Sequence, residues 1–179
     1  RSLTNNTTGS GNTAVGANAL SSNNAGGANT GLGANSLMSN TTGVQNTAGG
    51  VNALTNNTIG NNNTAYGVAA SQLSTTGWGN TAIGISALNK NITGYYTTAV
   101  GSYALNYNIS ATTSVALGYG AGQGLVDYSN QGGTYLGYQS GLSADTGSDF
   151  NTFLGYQSGY GATTGSNNIW IGSATSSTA

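Results

Sequence analysis

The chain has 179 residues, about the length of one domain, and only five charged side chains: Arg1, Lys90, Asp127, Asp145 and Asp149. Charge is 3% of the composition, where an average soluble domain carries roughly 25%. The absence of Cys and His excludes a disulfide framework, a thiolate metal site and a nucleophile activated by histidine, and a net charge of −1 with no basic cluster excludes nucleic acid as a partner.

No apolar run approaches the roughly 18 residues of a membrane span. With so little charge, copies of the chain repel one another weakly, which favours assembly over a free monomer. The Gly-, Asn- and Ser-rich composition resembles that of disordered linkers. Linkers, however, have no reason to keep an apolar residue in phase from one end to the other.

The phase is set by Asn12–Leu20, NTAVGANAL, which returns as NTGLGANSL, NTAGGVNAL, NTAYGVAAS, NTAIGISAL and TTAVGSYAL. The Gly that closes each NTAVG-like segment serves as the anchor: Gly16, Gly33, Gly50, Gly67, Gly84, Gly101, Gly118, Gly137, Gly155 and Gly172. The first six steps are 17 residues, the last three 19, 18 and 17. Leu3 and Gly9 fit a still earlier, truncated repeat.

Columns follow from the anchor. Position −1 holds Val15, Leu32, Gly49, Tyr66, Ile83, Val100, Leu117, Leu136, Leu154 and Ile171; position −2 is Ala or Gly until it becomes Tyr135, Phe153 and Trp170. Position −3 is Thr from Thr13 to Thr98, position −4 is Asn12, Asn29, Asn46, Asn63 and Asn80, and position +4 is Leu at 20, 37, 54, 88 and 105. Gly recurs at +10, from Gly26 to Gly94.

Thr-Ala-Val-Gly, rich in β-branched residues and bounded by Asn and Gly, predicts a strand of three to five residues. Ala-Asn-Ala-Leu also alternates and predicts a second short strand, with turns between. Gly and β-branched residues in every repeat oppose a helix. A 17-residue period of strands and turns predicts an all-β, parallel β-roll or β-solenoid whose coils stack about 4.8 Å apart. In-phase Asn then forms an amide ladder, and in-phase Gly marks corners of positive φ or close approach. Position −2 faces the narrow interior, while −1 and −3 share the opposite face. If that face meets water, it forms an apolar stripe of the kind that marks an interface. A coil whose large apolar residues are one Val and one Leu has little to bury alone.

Residues 1–105 form the regular coils. Residues 106–179 continue the same solenoid in looser, Tyr-rich coils in which the +4 Leu becomes Gly122, Gly141 and Gly159 and Ala121–Gly132 carries a two-residue insertion. The expectation there is a wider or differently packed section of one rod. Ser176–Ala179 offers no polar cap, so the solenoid is expected to run on into further domains or to stack end to end as a filament.

The tandem G-x-N-T-A-x-G-x-x-A-L-x-x-N-T-T-G pattern, carried by Asn12–Leu20 and its copies and by the Thr-Thr-Gly at Thr41–Gly43 and Thr75–Gly77, resembles the head repeats of trimeric autotransporter adhesins and the related repeats of phage tail fibres. The resemblance covers nearly the whole chain. It implies a left-handed β-roll, three chains side by side with −1 and −3 facing a shared axis, and attachment at a cell or virion surface, with a host glycan or protein as target. The repeat is longer than in those heads and has Thr where they have an apolar −3 residue, which points to a generic fibre section.

For chemistry the chain offers little. Hydrolysis of polysaccharide takes paired carboxylates, and Asp145 and Asp149, four residues apart across a turn, read as solvated turn residues or a weak cation site. No cofactor and no catalysis are expected. Two binding readings compete with the fibre: a monomeric ice-binding solenoid using the Thr column, against which Thr simply suits a strand surface, and a sugar-stacking stripe of Tyr95, Tyr96, Tyr103, Tyr107 and Tyr119, against which rings in phase stack on one another. Trp78, beside Gly77, is expected at an exposed turn.

Overall fold

The structure, a computed structural model, describes residues 1–174. The expected uncapped end, Ser176–Ala179, lies outside the described residues. Ten three-residue strands follow one another: β1 (Thr13–Val15), β2 (Thr30–Leu32), β3 (Thr47–Gly49), β4 (Thr64–Tyr66), β5 (Thr81–Ile83), β6 (Thr98–Val100), β7 (Val115–Leu117), β8 (Thr134–Leu136), β9 (Thr152–Leu154) and β10 (Ile169–Ile171). They make one parallel sheet in chain order. No helix occurs among the described residues. The register is columnar: Thr13, Ala14 and Val15 lie on Thr30, Gly31 and Leu32, and the same alignment reaches Ile169, Trp170 and Ile171 on Thr152, Phe153 and Leu154. The chain is a parallel β-solenoid.

The second predicted strand is absent. Residues 17–23 form overlapping turns instead, with Ala19, Ser21 and Asn23 donating to the carbonyls of Gly16, Asn18 and Leu20. The intervening amides reach the next coil: Leu20 donates to Ser36 and Ser22 to Met38, both at 3.0 Å. Every second amide is thus satisfied within the coil and the others between coils, so this arc leaves no unpaired donors without being a strand. The period of two in Ala-Asn-Ala-Leu comes from alternating left-handed residues, Asn18 at φ 57° and Leu20 at φ 52°, not from a pleat.

Leu at positive φ is unusual, yet Leu20, Leu37, Leu54, Leu88 and Leu105 all adopt it and are fully buried. The left-handed backbone costs roughly 1–2 kcal/mol for a residue with a Cβ. Burying the side chain returns about 1.5–3 kcal/mol. The position is tolerated because the turn aims Leu at the interior, onto the −2 column of Ala48, Ala65, Ala82 and Ala99.

That pairing explains the change past residue 105. Tyr135 and Phe153 are buried at −2 in place of Ala, and a Cβ at Gly122, Gly141 or Gly159 would fall 2.5 to 2.6 Å from one of these rings. Large and small exchange places across the interior. The aromatic rings stack upward, Tyr135 on Phe153 at 5.7 Å and Phe153 on Trp170 at 5.2 Å. The insertion sits at the rim, where Leu125 and Val126 are exposed while Tyr128 turns inward and is buried.

Anchor glycines have φ between 125° and 137°, and a Cβ on Gly33 would lie 2.5 Å from the Gly50 carbonyl oxygen above it. Both demands single out Gly. The +10 glycines have no positive φ, but a Cβ there would strike the next coil's carbonyl as well.

Two outcomes test the interior. Gly141→Ala should destabilise the chain by about 1–3 kcal/mol through overpacking and by roughly a further 1–2 kcal/mol through its left-handed backbone; the overpacking part should shrink in a Tyr135→Ala background while the backbone part persists, as read by chemical denaturation of the four variants of the cycle. Burial pushes the Tyr135 phenol up to about 12 and raises that of Tyr128 well above its ordinary 10. Since both folded-state values lie above the unfolded one, the stability they contribute is present below pH 10 and is lost as pH rises above it, for Tyr135 through about 12. Phenolate absorbance from these two residues should therefore appear together with loss of the far-UV β signal, and Tyr135→Phe should shift that unfolding upward in pH.

Candidate functional site

The strand fixes which residues face out. With one side of each strand turned to the interior, −1 and −3 must point away, and the burial patterns alternate accordingly, as in Thr81 half-buried, Ala82 buried and Ile83 exposed. Of the predicted ladder, Val15, Leu32, Tyr66, Ile83, Leu117, Leu154 and Ile171 are exposed, from 38% at Leu32 to 68% at Ile171, while Val100 and Leu136 are half-buried. They stand in one line, Cα over Cα, from β1 to β10.

A second column, apolar except at Ser102 and Ser173, lies across the anchor at +1. Val51, Val68, Ile85, Tyr119, Tyr138 and Tyr156 are 44% to 55% exposed. Sequence reading picks out the three tyrosines but not the aliphatic residues, although the same in-phase count yields them. The −1 and +1 columns together with the −3 Thr make one uncharged band along the rod.

The chain's accessible surface is 7342 Å², close to the roughly 7,900 Å² that scaling gives a compact monomer of this mass. A shortage of burial is therefore not what points to a partner. The unusual feature is the placement of exposed apolar residues: fifteen of the 26 large ones fall on the −1, +1 and −3 columns.

Asparagine does the opposite and goes inside. The side chains of Asn29, Asn46, Asn63 and Asn80 are buried. Each donates to the carbonyl of the +10 Gly in the next turn, as Asn46 does to Gly60 at 2.7 Å, and each Oδ1 accepts the backbone amide stacked above it, as Asn46 does from Asn63 at 3.0 Å. Asn12, in the first coil, bonds to Gly26 and Asn29 in the same way. The expected ladder is present, with side chain to backbone bonds as its main links and side chain to side chain bonds added at Asn46 and Asn63.

A second ladder, at +7, escapes the sequence reading. Asn23 donates to Asn6, Asn40 to Asn23 and Asn57 to Asn40, each at 2.8 Å. It breaks at Ser74. The hydroxyl there is too short to bridge, and Asn57 Oδ1, Ser74 Oγ and Asn91 Nδ2 are all buried without partners.

Aromatic rings gather in two places. Tyr119, Tyr138 and Tyr156 stack nearly parallel at 5.5 and 5.3 Å, with Tyr103 edge-on to Tyr119. Trp78, 39% exposed, stacks on Tyr95 and meets Tyr96 edge to face. Tyr107 stands apart, under the ammonium of Lys90 at 4.7 Å. Lys90 reaches on to Asp127, 2.6 Å away, and so ties the insertion to the regular coils.

Asp145 and Asp149 accept from different backbone amides. Asp145 accepts the amide of Thr146 at 2.6 Å and Asp149 that of Gln131 at 2.9 Å. No group of three or more acidic, Cys or His residues occurs among the described residues, nor does any helix long and apolar enough to cross a membrane. No known protein family, curated protein or solved structure matches the chain.

The break at Ser74 gives a direct test. Ser74→Asn supplies both the missing donor and the missing acceptor, each orphan costing about 1–3 kcal/mol. The variant should be more stable than the native chain by about 1–3 kcal/mol, measured as an upward shift of the thermal midpoint.

Proposed function

We propose that the chain is a structural and attachment section of an extracellular homotrimeric fibre, with the −1 column turned to a shared axis. The observation that carries this reading is the in-phase column of exposed, mostly aliphatic residues along one face of a nearly uncharged rod. A second copy is the partner it fits best. The band has no charge to select another surface, and only another solenoid repeats at the same spacing of about 4.8 Å over the same length.

Area favours three chains over two. Nine steps between ten strands, by about four residues across, give a band on the order of 500 to 600 Å². A stable two-chain interface takes about 800 Å² from each partner. In a three-chain bundle each rod meets two neighbours, so the −3 and +1 flanks are covered on separate sides and the buried area rises accordingly. The left-handed winding implied by the resemblance, end-to-end stacking into a filament and a cell- or virion-surface location belong to the same proposal, as does a host glycan or protein as target.

The alternative is a monomeric ice- or glycan-binding solenoid. The ring faces of Tyr119, Tyr138 and Tyr156 are largely covered by one another, which leaves edges and not faces for a sugar. The Thr column is outward but flanked by aliphatic residues and not by a second Thr row.

Sedimentation velocity and native mass measurement should give a trimer for the native chain. Ile83→Lys puts a cation on the proposed axis at a residue already 41% exposed. It should leave the β signal and the fold of the single chain intact, within about 0.5 kcal/mol, and dissociate the trimer. A native monomer that also shows thermal hysteresis would favour the alternative.

A further inference from the structure

Stacking alone gives the outward band a weakness. Along the −1 column most coils are nearly alike, so there a partner rod displaced by one coil meets almost the same row. Val15 replaced by Leu32, or Ile83 by Val100, changes little in shape and nothing in polarity. A sliding interface of this kind needs a feature that does not repeat.

The −1 column contains one such feature, at β3 and β4. Gly49 is the sole residue of that column without a side chain, and Tyr66 above it is the sole one with a polar atom. The two act as a unit: a Cβ on Gly49 would fall inside the Tyr66 ring, so the ring leans down over coil three and buries Gly49 beneath it. Tyr66 itself is 57% exposed, and its hydroxyl has no hydrogen-bond partner among the described residues. A flat plate with one polar edge thus interrupts a row of aliphatic knobs.

Resting on the trimer reading above, we infer that the Gly49–Tyr66 pair is the register key of the assembly. With the three chains level, three Tyr66 hydroxyls share one layer and can pair with one another or with neighbouring backbone. With one chain displaced by a coil, its Tyr66 stands opposite Gly49 or Ile83 of the others and out of line with their hydroxyls, so its own is left buried without a partner, a far less favourable state. The logic is that of a single polar residue in the apolar seam of a coiled coil, which fixes alignment at the expense of some stability.

The chain has no cysteine, so introduced thiols report register cleanly. Two differently sized fusions of the chain, one carrying Val100→Cys and the other Leu117→Cys, are refolded together and oxidised. These positions lie one coil apart, on β6 and β7, and away from the key. Level chains give only like-with-like disulfides; a one-coil displacement gives the mixed product. With Gly49 and Tyr66 intact, the mixed product should be at least about tenfold rarer than the like pairs, the ratio expected from one unsatisfied buried hydroxyl. With Gly49→Val and Tyr66→Val together it should approach parity. Tyr66→Phe, which keeps the ring over Gly49, should raise it with no change in the β signal. Equal mixed yields in native and variant trimers would overturn the key while leaving the trimer standing. A native chain that stays monomeric and forms no disulfides would overturn the trimer itself.

Discussion

Every coil of this rod is obliged to have the shape of the coil beneath it, because the two exchange backbone hydrogen bonds in both directions along their length. The constraint is severe since the coil has so little regular structure. Three residues pair as a strand, and the rest is held by turns whose alternate amides reach across to the next level. A side chain at an anchor glycine would strike the stacked carbonyl. The corners are therefore the least negotiable part of the sequence, and side-chain variety is confined to positions that point into the bore or out to solvent.

The bore shows how variety is accommodated. Its cross-section is fixed by the backbone, so volume added at one position is removed at another. Ala with Leu in the regular coils becomes Tyr or Phe with Gly further on, in keeping with the tolerance of cores for swaps that conserve volume. The exchange also relieves strain, since Gly takes over a left-handed position that Leu occupies at a cost. Polar groups inside obey a similar rule of continuity. An Asn ladder satisfies every member only while it is unbroken, and one Ser orphans the amides on both sides.

How far the sequence discloses this depends on whether a position repeats in phase. The strand, its parallel stacking, the inward −2 column, the outward −1 column and the −4 Asn ladder all follow from counting residues between glycines. The Ala-Asn-Ala-Leu arc does not, because a period of two is shared by a pleat and by turns with alternating φ, and composition cannot separate them. The +7 ladder was within reach of the same count, but Ser74 and the surrounding run of Asn hide it. The Gly49–Tyr66 pair reads as noise in the column until the ring is seen lying over the missing side chain.

The distribution of polarity bears on function more than any single residue. In most small domains apolar side chains go in and charge goes out. Here buried amides hold the coils together, the surface is almost free of charge, and many of the aliphatic residues in excess of what the bore can hold stand in line at −1 and +1. A line on one face is a directional instruction. Rods that share it around an axis consume it completely and close, whereas an open sheet or fibre of rods side by side needs a second adhesive face. With charge too scarce to oppose association, that one-sidedness is what would keep the proposed assembly finite across its width, and a non-repeating pair within the line is what would keep it in register along its length.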